Sequence, residues 1–202
     1  MAIITTEIQV ANLALGLVGQ KQLIGAFNDQ TVEAQMAALY FDQTRDKLLE
    51  KWAWRFAMKR TVLANSGEER TGWGYAYRAP ADMLKARQIF NGKREFGAGE
   101  QIAFTKELND AATGHLILTD QPSAELFYTV RLRTVALWPA LFVDAVASQL
   151  AVHLAPALPI KTSEIPEYQR RATMAFQEAA AHDANEAVRD QEADSEFIRE
   201  RG

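Results

Sequence analysis

The sequence predicts an α+β fold: a bundle of about four helices with an inserted, mostly antiparallel β subdomain. Three observations predict it. Helical periodicity occupies both ends of the chain, over residues 6–52 and from Trp138 onward. Short runs rich in β-branched and aromatic residues fill the middle, separated by Gly, Asn and Asp. No unit recurs along the chain, so a repeat architecture is not expected. The expected organisation is a helical bundle from residues 1–53 and 134–190, a β subdomain over 54–133, and a C-terminal tail over 191–202 that docks on a partner.

The first helix is expected over residues 6–18. Val10, Leu13, Ala14 and Leu17 recur at helical spacing, Thr5 or Thr6 is placed to cap the start, and Gly19 to stop the helix. After the linker "QKQLIGAFNDQ", Asp29 or Thr31 opens a longer helix reaching about Trp52. Val32, Met36, Leu39 and Tyr40 are expected as its buried stripe, with Phe41, Leu48 and Trp52 beside it, and Asp42 pairing with Arg45 on the exposed face.

At Trp54 the period shifts. Trp54, Phe56 and Met58 alternate with Arg55, Ala57 and Lys59, which predicts a strand. Residues 65–76 are expected as a Gly-rich charged loop, and "APADMLKA" as a turn of helix opened by Pro80. Strands follow at "ARQIF", "QIAFT", "HLILT" and "AELFYTVRL", with Asn91-Gly92 as a tight turn between the first two. The run "LWPALFVDAVASQLAVHLAPALP" has the length of a membrane span, but Asp144, Ser148, Gln149 and His153 interrupt it, so a buried central helix is expected. A last helix starts between Ser163 and Pro166, with Tyr168, Ala172, Ala175, Phe176 and Ala179 on its buried side.

Charge and chemistry narrow the function. The 202 residues include no cysteine, which fits a reducing compartment and removes disulfides and thiolate metal sites. The start "MAIITTEIQV" lacks the basic and apolar regions of a signal peptide. The net charge of −4 is uneven: residues 51–133 hold 13 basic and 9 acidic side chains, residues 164–202 hold 5 and 10. That surplus in the middle is too mild for a concentrated nucleic-acid footprint. His115, His153 and His182 have no partner at ligand spacing, so no metal site is expected. Glu95, Glu100 and Glu107 are expected as solvated carboxylates rather than an acid–base pair. No catalytic constellation and no cofactor motif are read, and the expectation is a protein that is not an enzyme.

Trp, Tyr and Arg concentrate in "EKWAWRFAMKRTVLA" and "GYAYRAPADML". These residue types dominate interface energetics, and large aromatics also lock loops onto sheets. Trp73, Tyr75, Tyr77 and Arg78 are read as a contact surface for a partner. In "SEFIRERG", Phe197, Ile198 and Arg199 are read as an amphipathic segment that docks in a partner's groove.

These stretches carry a resemblance. "ANLALGLVGQKQLI", "EAQMAALYFDQTRDKLLEKWAWRFAMKRTVLA", "GYAYRAPADML" and "FVDAVASQLAVHLA" are similar, in order and spacing, to the head-to-tail adaptor proteins of short-tailed bacteriophages, the tail tubular protein A family. The resemblance covers most of residues 8–185, with Trp54, Phe56, Pro80 and Asp82 among its signature positions. It implies a structural virion protein at the head–tail junction, made in the host cytoplasm. It implies a homo-oligomeric ring, expected to be a dodecamer, bound to the portal protein and to a tail nozzle protein. Genomic DNA would pass through the lumen without specific binding, and no membrane would be involved. The other readings kept open are a virion-associated peptidoglycan hydrolase and a nucleic-acid-binding module.

Overall fold

The computed structural model describes residues 4–93, 96–97 and 99–186. Phe197, Ile198, Arg199 and the whole 191–202 segment lie outside the described residues, as does Glu95. The architecture is α+β, as the sequence predicts. Among the described residues, four helices, α1 (Glu7–Leu17), α2 (Val32–Lys51), α3 (Ala140–Leu154) and α4 (Ile165–Asn185), flank six strands. The strands are β1 (Met58–Val62), β2 (Tyr75–Arg78), β3 (Met83–Ile89), β4 (Phe104–Leu108), β5 (His115–Thr119) and β6 (Glu125–Val130).

Thr6 caps α1 with a capping box. Its hydroxyl accepts from the Gln9 N–H at 3.2 Å, and the Gln9 side chain accepts from the Thr6 N–H at 3.1 Å. Gly19, with φ of +77°, ends the helix. Asn12 then clamps the linker, accepting from the Ile24 N–H and donating to its carbonyl, both at 2.9 Å. Thr31 is the cap of α2, whereas Asp29 caps the turn before it through the Gly25 and Ala26 N–H groups.

α2 buries a different face from the one its large apolar residues suggest. Ala34, Ala37, Phe41, Thr44, Arg45, Leu48 and Leu49 face inward, while Val32 and Leu39 are 52% and 61% exposed. Small residues at 34 and 37 let the backbone approach its neighbours closely, so side-chain size decides the face. Arg45 accordingly lies inside the protein rather than on the exposed face. It is fully buried, with Asp42 at 2.9 Å, Glu7 at 3.4 Å and Asp46 at 2.8 Å around its guanidinium.

The expected strand at Trp54 is replaced by a 3₁₀ turn, Arg55–Ala57, and β1 begins only at Met58. The turn is fixed from outside. The buried carboxylate of Asp183 on α4 accepts from the Arg55 N–H at 2.9 Å and from the Trp52 indole at 3.1 Å. Trp54 and Phe56 both reach the Phe142 ring, with centroids 4.9 Å away in each case. Phe142 belongs to α3, the most apolar helix, which packs against α1, α2 and α4.

The strands form two antiparallel three-stranded sheets, β1-β6-β3 and β2-β5-β4. Between them lies a second core of Leu63, Tyr77, Ile89, Ile117, Leu126 and Tyr128. Two sequence expectations change here. Pro80–Asp82 is a turn closed by the Met83 N–H on the Pro80 carbonyl at 3.0 Å, and β3 replaces the expected helix because its backbone pairs with β6. Asn91-Gly92 does not join two strands of one sheet: β3 and β4 belong to different sheets, and the pairing beside the turn is the isolated Ile89–Ile102 bridge, with Ile102 ahead of β4.

The helical and β parts are joined at the C-terminal end of α2, whose last carbonyls lack helical donors. Trp54 Nε1 donates to the Leu48 carbonyl at 2.7 Å. Arg87 Nη2 donates to the carbonyls of Leu49, Glu50 and Trp52 at 3.0, 3.0 and 2.6 Å. Arg131, the residue after β6, pairs with Asp46 at 2.8 Å.

Candidate interaction surface

The loop from Asn65 to Gly74 is rich in glycine, yet it is tied at many points. Arg78 N–H donates to the Ala64 carbonyl at 2.8 Å and Ser66 N–H to the Ala76 carbonyl at 2.9 Å, so the two ends of the loop run side by side. Asp120 accepts from the Gly74 N–H at 2.8 Å. Arg70 holds the middle, with Glu68 at 2.8 Å and Asp110 at 2.9 Å.

The four residues read as a contact surface divide into two pairs. Trp73 is half-buried and covers Ala76, Leu116 and Leu118 on the outer face of the β2-β5-β4 sheet. Tyr77 is 4% exposed and donates its hydroxyl to the Gln121 carbonyl at 2.9 Å. Tyr77 therefore belongs to the β core and not to a contact surface, because its strand register points it at Ile117 and Leu126. Tyr75 stacks on Tyr77 with centroids 6.0 Å apart and remains 39% exposed. Arg78 is exposed, and among the described residues it has no side-chain hydrogen bond or ion pair. Tyr75 and Arg78 are thus the outward-facing members, on a backbone that is already ordered.

The signature residues stabilise the fold. Trp54 is buried and Phe56 half-buried against α3. Asp82 follows the Pro80 turn and joins two strands: it pairs with Lys59 at 2.8 Å and accepts from the Tyr128 hydroxyl at 2.9 Å. Desolvation pushes the Asp82 carboxyl up, but the hydrogen bonds from Lys59 and Tyr128 outweigh it and hold the group below its usual range. A depressed folded pKa contributes stability that is present above the unfolded value and lost as pH falls through the folded one. Asp82→Asn is therefore expected to cost less than about 1 kcal/mol at pH 7, since the pair is largely solvated. The gap between the two proteins should close as pH drops below about 4. Chemical denaturation of both across pH 3–7 checks this.

The remaining polar groups sit in scattered places. His153 packs flat on Tyr40, centroids 5.2 Å apart, and burial followed by the Lys47 charge pushes its pKa down. His115 and His182 are exposed. Glu107 lies 3.7 Å from Arg70, and Glu100 is exposed. Among the described residues, no group of three or more His, Asp and Glu is placed to hold a metal ion.

A second surface carries no motif that marks it in the sequence. α1 and α4 flank α3 and leave an open groove of about 460 Å³. Leu13, Leu17 and Leu141 supply its apolar wall, and Met174, 62% exposed, its opposite lip. Asp144 lies in it, its carboxyl raised by burial and by Glu178 against the pull of Arg171. Leu13 and Leu17 look like core residues by periodicity, but they sit at the groove's edge because α1 buries Ala11, Ala14 and Leu15 instead.

No protein-family model and no curated protein matches the chain.

Proposed function

We propose that this chain is a structural virion protein, a head-to-tail adaptor that assembles as a ring between the portal and the tail nozzle of a short-tailed bacteriophage. The observation that carries the reading is the 65–78 loop. Its backbone is pinned at both ends, and it presents Tyr75 and Arg78 outward while Trp73 and Tyr77 hold it to the sheet. Tyr75 and Arg78 lie on opposite faces of β2, and each is a residue type common in interface hot spots, held on a backbone with little conformational freedom left to lose on binding. The resemblance of residues 8–185 to the adaptor family supplies the assembly: a ring, expected as a dodecamer, with the helical layer forming its wall and the β part facing a neighbour or the next tail component. DNA passes through the lumen without being gripped. The acidic balance of the first 50 residues, 6 acidic against 3 basic, suits a wall that does not bind it.

Co-sedimentation with the portal protein of the same phage tests the reading. The expected result is a large complex of fixed stoichiometry. A chain that stays small and ignores the portal overturns it. Arg78→Ala is expected to leave the melting temperature unchanged and to weaken complex formation by about thirtyfold, the lower end of a hot-spot truncation. An Arg78→Ala protein that assembles normally removes this residue from the contact.

A further inference from the structure

The groove between α1 and α4 has a counterpart on the same molecule. At about 100° per residue, Val32 and Leu39 point away from the side of α2 that carries Ala34, Ala37 and Phe41. They form an exposed apolar ridge on the back of that helix, with half-buried Met36 beside them. Exposed Asp42 and Lys47 flank the ridge. The geometry points to a ring contact in which the α2 ridge of one copy lies antiparallel in the α1–α4 groove of the next. This inference rests on the ring reading above and names the surfaces that build the ring.

Three features commit the groove to a second copy. First, the order of charges matches. With a rise of about 1.5 Å per residue, Asp42 and Leu39 lie about 7.5 and 12 Å from Lys47 along α2. Arg171 and Met174 lie about 6 and 10.5 Å from Glu167 along α4. An antiparallel alignment therefore brings Lys47 to Glu167, Asp42 to Arg171 and Leu39 to Met174. A parallel alignment sets Leu39 on Glu167 and Lys47 on Met174, which fixes the direction. Second, the apolar members are the ones left uncovered: Leu39 is 61% and Met174 62% exposed. A ridge of side chains entering the gap between two helices is the usual packing of a helix on its neighbours. Third, ridge and groove are different surfaces of one chain, so the contact is head-to-tail and each copy holds two neighbours. Such a contact propagates and closes into a ring when its rotation allows, unlike a two-fold contact, which stops at a dimer.

The absence of cysteine gives a test without background. The full-length variants Leu39→Cys and Met174→Cys, and the double variant, are oxidised alone and with the portal. The double variant is expected to give a ladder of covalent oligomers, an equimolar mixture of the single variants to give dimers only, and each single variant to give neither. Lys47→Glu in the double-cysteine background is expected to reduce the ladder about tenfold, the effect of one close interfacial charge pair. Adding Glu167→Lys is expected to restore it. Self-cross-linking of Leu39→Cys overturns the proposal in favour of a two-fold contact. Portal-bound rings of the double variant that give no ladder overturn this packing while leaving the adaptor reading intact. A ladder from a protein that ignores the portal supports the packing and removes the adaptor reading. A chain that stays monomeric with the portal present overturns both.

Discussion

Trp54→Ala is expected to lower the unfolding free energy by about 3–5 kcal/mol, the cost of emptying a buried large aromatic site. For a chain of this size that is a fall in melting temperature of roughly 6–20 °C. The indole is 1% exposed and meets three rings, Phe56, Phe142 and Phe176, at centroid distances of 5.7, 4.9 and 5.9 Å. These rings come from the segment after α2, from α3 and from α4, so the cavity would open where three parts of the chain meet. The indole N–H also satisfies the Leu48 carbonyl at the end of α2. Trp54→Phe separates the two roles. It keeps most of the ring packing and loses the donor, and it is expected to cost about 1–2 kcal/mol beyond any packing change. Thermal unfolding of the two variants beside the wild type measures both. A Trp54→Ala protein as stable as the wild type contradicts the assignment of this residue to the core.

Arg45→Met should cost about 2–4 kcal/mol. Breaking a wholly buried ion pair costs about 3–5 kcal/mol, and this site falls short of that because two of its three carboxylates reach water. Glu7 and Asp42 have side chains 34% and 64% exposed and can hydrate when the guanidinium is gone. Asp46, 22% exposed, keeps Arg131 at 2.8 Å but loses its second cation. Arg45→Lys is expected to recover little, because one ammonium cannot span carboxylates that the planar fork reaches from Nε and Nη1. Equilibrium urea unfolding of the two variants distinguishes this from simple loss of volume. If the methionine protein matches the wild type, the network contributes nothing to stability.

Much of the fold could be read from local pattern. The run "HLILT" is a strand over the same five residues in the structure, and α3 spans the apolar run broken by Asp144. What resisted reading depends on contacts distant in sequence. β1 and β6 pair although more than sixty residues separate them, and nothing local marks the division into two sheets. On α2, hydrophobicity selects Val32 and Leu39 while close approach selects Ala34 and Ala37, and the structure obeys the second. The candidate surface shows the same limit. Tyr75 and Tyr77 share one face of β2 by alternation, yet one is exposed and the other buried because the sheet ends beside Tyr75. Arg45 and Asp42 have the spacing of a solvent-exposed pair, yet only Asp42 stays in solvent, while the Arg45 guanidinium is buried with Glu7 of α1 at 3.4 Å. The α1–α4 groove is a gap between helices, and a gap has no residue pattern of its own.

The central claim, that copies of this chain close into a ring on a portal, is tested most directly by electron microscopy of the complex recovered from co-sedimentation. Closed rings with an axial channel, stacked on the portal and made of head-to-tail copies, are the expected result. Isolated single copies, or two-fold dimers with no channel, would contradict it.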